Sequence, residues 1–265
     1  MRPSRMLFIY YRLMSQQMKA IVSYQTDFLV SMAAVMLTQI LGYVFLWVVF
    51  QRIPHIQGWD FWKVAFMYAM VFFVEGASGF LFNGMWVLGV LVNKGELDRM
   101  LIRPIPPVLQ VLTSNIGIGG LGTMAVGAVI LVRALQHIEL DWTQEKGLMV
   151  ILLIVSAVVI RVTVLLAACC HTFWSGSSNT AFAHMIHTLG EFARFPLNIY
   201  NLGVQVLITA VVPFAFISFF PAVYIFGQEE WGLYGLLSPL VAIYTACMAL
   251  WIFRRGLRRY ESTGN

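Results

Sequence analysis

Charged side chains make up only 11% of this sequence, against a hydrophobic share of 60%. A soluble domain carries about 25% charged residues, so there are too few ionic groups here to cover a water-exposed globule. Cysteine is scarce too. Cys169, Cys170 and Cys247 lie in apolar runs and make no even-numbered framework, so they read as small packing residues. The N-terminus lacks the uninterrupted apolar core of a secretory leader, because Arg2, Arg5 and Arg12 break it up, and no cleavable signal is expected. Strict apolar/polar alternation is absent, which excludes an outer-membrane barrel. A phosphate-binding loop, which needs lysine followed by serine or threonine, is also missing. Lys19, Lys63, Lys94 and Lys146 precede Ala20, Val64, Gly95 and Gly147, so the chain is expected to hydrolyse no nucleotide itself.

What the sequence does have is long apolar runs. About 20 such residues cross the roughly 30 Å of hydrocarbon in a bilayer. Runs at 28–50, 63–92, 108–132, 147–170 and 233–253 reach that length, and 171–232 must hold one more crossing. The expected fold class is an all-α polytopic membrane protein, one transmembrane domain over 1–265 with six helices. Basic residues near span ends set orientation. With the N-terminus inside, the inner segments collect Arg2, Arg5, Arg12, Lys19, Lys94, Arg99, Arg103, Arg254, Arg255, Arg258 and Arg259. The outer segments hold Arg52, Lys63, Arg133 and Lys146 beside the acidic Glu139, Asp141, Glu145, Glu229 and Glu230. Both termini are therefore expected in the cytoplasm. The net charge of +5 reflects this collection at span ends and is no sign of a nucleic-acid partner. Trp47, Trp59, Trp62, Trp142 and Trp231 are expected as anchors at the membrane interfaces.

Two inner segments stand out. In 4–25, Arg5, Arg12, Gln16 and Lys19 share one helical face, while Leu7, Tyr10, Met14, Met18 and Ile21 line much of the other. That pattern predicts an amphipathic helix lying in the inner interface. Residues 93–107, NKGELDRMLIRPIPP, concentrate charge between two spans. Gly95 and Glu96 open about two turns of helix, acidic Glu96 and Asp98 suit its N-terminal end, and Pro104 stops it. Leu97, Met100 and Leu101 make an apolar stripe flanked by Glu96, Asp98, Arg99 and Arg103. On the residues alone two readings stay open: a stiff docking helix for a soluble partner's groove, and a solvated turn.

The order Gly95, Leu97, Asp98, Met100, Leu101, Pro104 resembles the cytoplasmic loop between the second and third spans of ABC-2 type transporter permeases. Later, EFARFPLNIY (191–200) and VVPFAFISFFPA (211–222) resemble the bacterial subfamily with a Phe-Ala-Arg-aromatic-Pro stretch. The resemblance covers nearly the whole chain. It implies a transmembrane permease subunit of an ATP-binding cassette exporter in the bacterial inner membrane. The implied partners are a separate nucleotide-binding ATPase, a second ABC-2 permease and the lipid bilayer. The loop residues Glu96, Leu97, Asp98, Arg99, Leu101, Arg103 and Pro104 would then couple to the ATPase, with ATP and Mg²⁺ used by that partner and no cofactor bound by this chain. The competing classes are a stand-alone secondary transporter, for which no internal repeat is visible, and a membrane-embedded enzyme. For the enzyme, Ser177, His184 and His187 are the only conceivable pieces, and no GxSxG is present.

Hydropathy alone puts the fifth crossing at 202–226, whereas the resemblance implies about 173–192, with 195–228 dipping into the outer leaflet and returning. Pro196, Pro213 and Pro221 favour the broken path. The polar residues within spans are candidates for lining a pathway: Glu75, Asn83, His184, His187 and Glu191. Ionisable groups at membrane depth are costly and face an interior. Glu75 reads equally as a pathway acid or as a structural partner of Arg161, and Arg161 itself reads as a snorkelling residue. His184 and His187 lack the Cys or acidic neighbours of a metal site.

Overall fold

The computed structural model describes residues 8, 10, 12, 14–16, 18, 25–138, 143–227 and 232–261. The amphipathic segment expected at 4–25 lies largely outside them, as do Trp142, Trp231, Glu139, Asp141, Glu229 and Glu230. Within that segment, Tyr10 donates its phenol hydrogen to the Leu81 carbonyl at 3.0 Å.

Helix α1 (Gln25–Arg52) leads into a hairpin of β1 (His55–Ile56) and β2 (Trp59–Asp60), with His55 opposite Asp60. Gln57 and Gly58, at φ 51° and 81°, supply the two positive φ values that its tight turn needs. Next, α2 (Phe61–Phe82) continues through a 3-10 turn (Asn83–Val87) into α3 (Leu88–Asn93). Two short helices follow, α4 (Glu96–Leu101) and α5 (Pro107–Leu112). Then come α6 (Gly119–His137), α7 (Gln144–Cys169) with α8 (Thr172–Ser175), and α9 (Ala181–Leu189). The chain closes with α10 (Leu202–Val206), α11 (Phe219–Ile225), α12 (Gly232–Gly235) and α13 (Ser238–Arg259). Among the described residues, five helical segments are long and apolar enough to cross a membrane, Thr26–Arg52, Phe61–Asn93, Gly119–His137, Gln144–Ser175 and Ser238–Arg259, or six if the bent pair Leu202–Val211 and Phe214–Ile225 counts as one. The protein is thus an all-α polytopic membrane protein.

The helix α2 is the centre. Every residue from Val64 to Phe72 is buried, as expected of a helix apolar all round. By contrast α1 turns Leu29, Val30, Leu37, Leu41 and Phe45 outward. Glycines let α6 lie against α2 backbone to backbone. A Cβ on Gly120 would fall 2.7 Å from the Gly76 carbonyl oxygen, and one on Gly127 would fall 2.5 Å from the Phe73 nitrogen. Close approach through small residues is how helices associate where lipid gives no hydrophobic drive.

Several expectations need correcting. The run 108–132 is not one helix, because 113–118 leave the helical path between α5 and α6. Glycine-rich sequence is poor helix, and the Gly117 N–H spends itself on the Gly79 carbonyl at 3.1 Å. The last helix starts at Ser238 rather than 233 and runs on through the arginines to Arg259. Trp59 is no interface anchor. It is 2% exposed and packs on the Phe219 ring, 5.7 Å between centroids.

Residues 178–198 run antiparallel to α2. At one end Ser178 meets Gly89; then His184 stacks on Trp86 at 4.5 Å, Arg194 lies over the Phe72 ring at 4.9 Å, and Asn198 donates to the Gln57 carbonyl at 3.3 Å. Past Asn198 the chain forms no single straight helix over 202–226, as hydropathy alone suggests. It bends by 76° between Leu202–Val211 and Phe214–Ile225, at Pro213, which has no N–H to donate. The Phe214 ring lies against Gly190, and Phe219 is back beside Trp59.

Gly120→Val is expected to push α2 and α6 apart and to lower stability by at least about 1–3 kcal/mol, as overpacking does. Thermal unfolding of the detergent-solubilised chain measures this; a midpoint equal to wild type would show the approach to be slack.

Candidate functional site

Four elements converge at mid-bundle. Glu75 comes from α2, Arg161 from α7 and His187 from α9. The 3-10 stretch Gly190–Arg194 supplies Glu191 and Arg194. Glu75 Oε1 lies 3.4 Å from Arg161 Nη2 and 3.3 Å from His187 Nε2, and its Oε2 lies 3.7 Å from Arg194 Nη2. Arg194 grips Glu191 at 2.6 Å. Arg161 Nη2 also reaches His187 Nε2 at 2.9 Å. Guanidinium only donates, so in this bond Nε2 is the acceptor.

The Arg161 side chain is 2% exposed and that of Glu75 21%. Burying either charge alone costs several kcal/mol, so each is kept only by its partners. Arg161 therefore does not snorkel as expected; it points into the bundle. Gly190 makes the room, since a Cβ there would come within 3.0 Å of Arg161 Nη1. Arg194 is roofed by the Tyr68 and Phe72 rings at 5.4 and 4.9 Å, a cation–π arrangement.

A cavity of about 430 Å³ opens beside the cluster, bordered by Gln39, Glu75, Asn83, Trp86, Arg161, His184 and His187 among others. Four of the five expected lining residues are there. Glu191 is not; it is turned to Arg194. Sequence reasoning missed Gln39 and Trp86, and it did not foresee the pairing of Arg194 with Glu75. Glu75 Oε2, Arg161 Nε and Arg194 Nε have no hydrogen-bond partner among the described residues. The arrangement offers fixed donors and acceptors of both signs to a solute with polar groups.

The charged loop sits away from this cluster, at one end of the bundle. Gly95 opens α4 at φ 68°, the left-handed conformation glycine adopts freely. The expected apolar stripe is split. Leu97 is 0% exposed, packed in a cluster with Leu88, Leu91, Val111 and Phe253, and Met100 is half-buried. A buried side chain cannot be offered to a partner, so Leu97 anchors the loop instead. Leu101 is 42% exposed and Ile102 85%, with Glu96, Arg99, Arg103 and Pro104 exposed around them. The buried amide of Gln110 donates to the Met100 and Ile105 carbonyls, both at 2.8 Å, and braces the turn. Asp98 faces the C-terminal end of α13. Burial and this neighbouring carboxylate push the Tyr260 phenol up to about 12.

Removing one member of a buried ion pair costs about 3–5 kcal/mol, because the other is left uncompensated. Arg161→Gln is expected to lose that much, with Glu75→Gln/Arg161→Gln recovering part of it. The measurement is thermal unfolding of the purified variants; a double variant as unstable as the sum of the singles would show the two groups to be uncoupled.

A family model described as ABC-2 family transporter protein matches residues 34–264. No curated protein and no solved structure matches the chain. The matched stretch contains the buried cluster, its cavity and the braced loop, and the chain belongs to the ABC-2 transporter family as a multi-pass membrane protein in a permease role.

Proposed function

We propose that this chain is the transmembrane permease of an ATP-driven exporter in a bacterial inner membrane, with both termini cytoplasmic. It forms one half of the pathway, and a second ABC-2 permease supplies the other. A separate ATPase subunit binds and hydrolyses the Mg²⁺–ATP. The observation that carries this reading is the two-sided loop. Leu97 and Gln110 lock its inner side to the bundle, while Arg99, Leu101, Ile102 and Arg103 are presented outward. A rigid, exposed tip with apolar residues ringed by charge is the shape that a groove on a soluble subunit takes up. ATP-driven closure of the ATPase pair would then act on the tip and shift the bundle between two access states. The cavity beside Glu75 is the part of the pathway this chain contributes.

In the same reading, residues 178–198 make the fifth crossing and 202–225 re-enter from the outer side. Support comes from contacts. The first stretch runs from Gly89 of α3 back along α2 to Gln57 in the hairpin, and the second goes from Asn198 in to Gly190 and back to Trp59.

Reversing the tip with Arg99→Glu/Ile102→Asp is expected to leave insertion and yield normal, since exposed substitutions cost within about 0.5 kcal/mol. Co-purification of the ATPase and drive of transport by ATP should be lost. Leu97→Ala should instead lower stability by about 2–5 kcal/mol, the range for truncation in a core. Full coupled transport in the tip variant would sink the docking role.

Single cysteines test the path. One at Asn198 should react with an impermeant thiol reagent added outside, and one at Asn179 only after the inner face is opened. Labelling of both from the same side would overturn the assignment of 178–198 as a crossing.

A further inference from the structure

The end of α13 carries a cluster that neither the coupling loop nor the cavity uses. Arg254, Arg255, Arg258 and Arg259 are all exposed, and with Trp251 they fall three, four, seven and eight residues along one helical face. A second segment joins them. The Phe173 ring stands edge-on to Phe253 at 5.6 Å, and Gly256 is so close to it that a Cβ there would clash with the ring, 2.7 Å from its Cγ. This contact pins α8 to α13 and brings its Trp174, 43% exposed, to the same arginines. The two tryptophans and four arginines line a concavity of about 700 Å³. Arg255 lies over the Trp251 ring at 5.4 Å. Among the described residues, none of the four arginines forms an ion pair with a carboxylate, whereas Arg161 and Arg194 inside the bundle both do.

Four like charges within two turns repel one another, and a counter-anion relieves that. Arg254 and Arg258 stand one turn apart, as do Arg255 and Arg259. Each pair presents paired donors of the kind that hold a phosphate. What leads up to them is apolar. Leu240, Tyr244, Cys247 and Trp251 are exposed along the same side of α13 at spacings of four, three and four. An apolar track ending in tryptophan and then in a basic cluster has the layout of an acyl chain, an interface and a headgroup.

We infer that this concavity binds the headgroup of an anionic phospholipid. Its phosphate sits between the arginine pairs, its glycerol region lies against Trp174 and Trp251, and one chain lies along Leu240–Trp251. Two arginine pairs suit two phosphates, so a diphosphatidylglycerol should bind more tightly than phosphatidylglycerol.

Native mass spectrometry of the purified full chain, titrated with diphosphatidylglycerol, phosphatidylglycerol and phosphatidylcholine of matched acyl chains, tests this. The expected result is binding of both anionic lipids at least tenfold tighter than phosphatidylcholine. Arg254→Gln/Arg258→Gln and Arg255→Gln/Arg259→Gln should each weaken it about 30-fold, at about 1 kcal/mol per arginine near a lipid surface. Arg133→Gln, at the opposite end of the bundle, should change nothing. Independently of any variant, anionic lipid should raise the unfolding temperature of wild-type chain and phosphatidylcholine should not. Equal affinity for phosphatidylcholine, or unchanged binding in both double variants, overturns the site. Displacement of the lipid by millimolar inorganic phosphate would make it a free-anion site. Loss of ATPase retention in the double variants with lipid binding intact would make it a protein contact instead.

Discussion

A carboxylate placed among apolar helices has no solvent to answer it, and the middle of this molecule is arranged around that need. Glu75 stands on the most buried helix, and its two arginines come from different parts of the chain. Arg161 is carried in on a helix of 26 residues, with Gly190 leaving space for its guanidinium. Arg194 arrives on a 3-10 stretch and is roofed by two aromatic rings. The bent stretch after Asn198 then closes over the same point, with Phe214 against Gly190 and the Ser218 hydroxyl donating to the Ala193 carbonyl. In a medium of low dielectric such charge clusters are bound strongly when complete and are costly when one member is missing. The least regular part of the backbone is therefore also the part with the strongest reason to hold one arrangement.

Much of this was legible in the sequence. Uniform apolar runs mark spans because length and hydropathy decide membrane crossing almost alone. Four of the five spans with a clean run were placed to within a few residues, 233–253 being early by about one turn. The run 108–132 misled because hydropathy does not register how glycine bends a path. Gly117 spends its N–H on a neighbouring helix, and no residue nearby announces that. Residues 171–226 were ambiguous for the opposite reason. Residues 178–198 are polar and partly 3-10, and contacts with α2 and its neighbours rather than apolarity keep them in place.

The site divides the same way. Glu75, Asn83, His184 and His187 stood out because polar residues in a span are rare, and the cavity has all four on its border. Arg194 was visible within its motif, but its pairing with Glu75 depends on a backbone path that no local pattern encodes. Leu97 is the clearest lesson. Its spacing with Met100 and Leu101 suggested one exposed stripe, yet six residues of helix ending in prolines can point successive apolar side chains in different directions. Spacing says which residues share a face, not which face is turned to the bundle.

That division of labour within α4 has a mechanical meaning. A loop hinged at both ends would absorb a push by flexing. Here Leu97 is seated among residues of the second, fourth and last spans, Gln110 ties the turn's carbonyls to α5, and Asp98 abuts Tyr260 at the foot of α13. In the docking role proposed above, force applied at Ile102 would find little compliance to be lost in. It would become a torque on the feet of several helices at once, including the one that carries Arg161. The bundle would then be geared, a displacement at its rim turning the axle on which the buried charge sits.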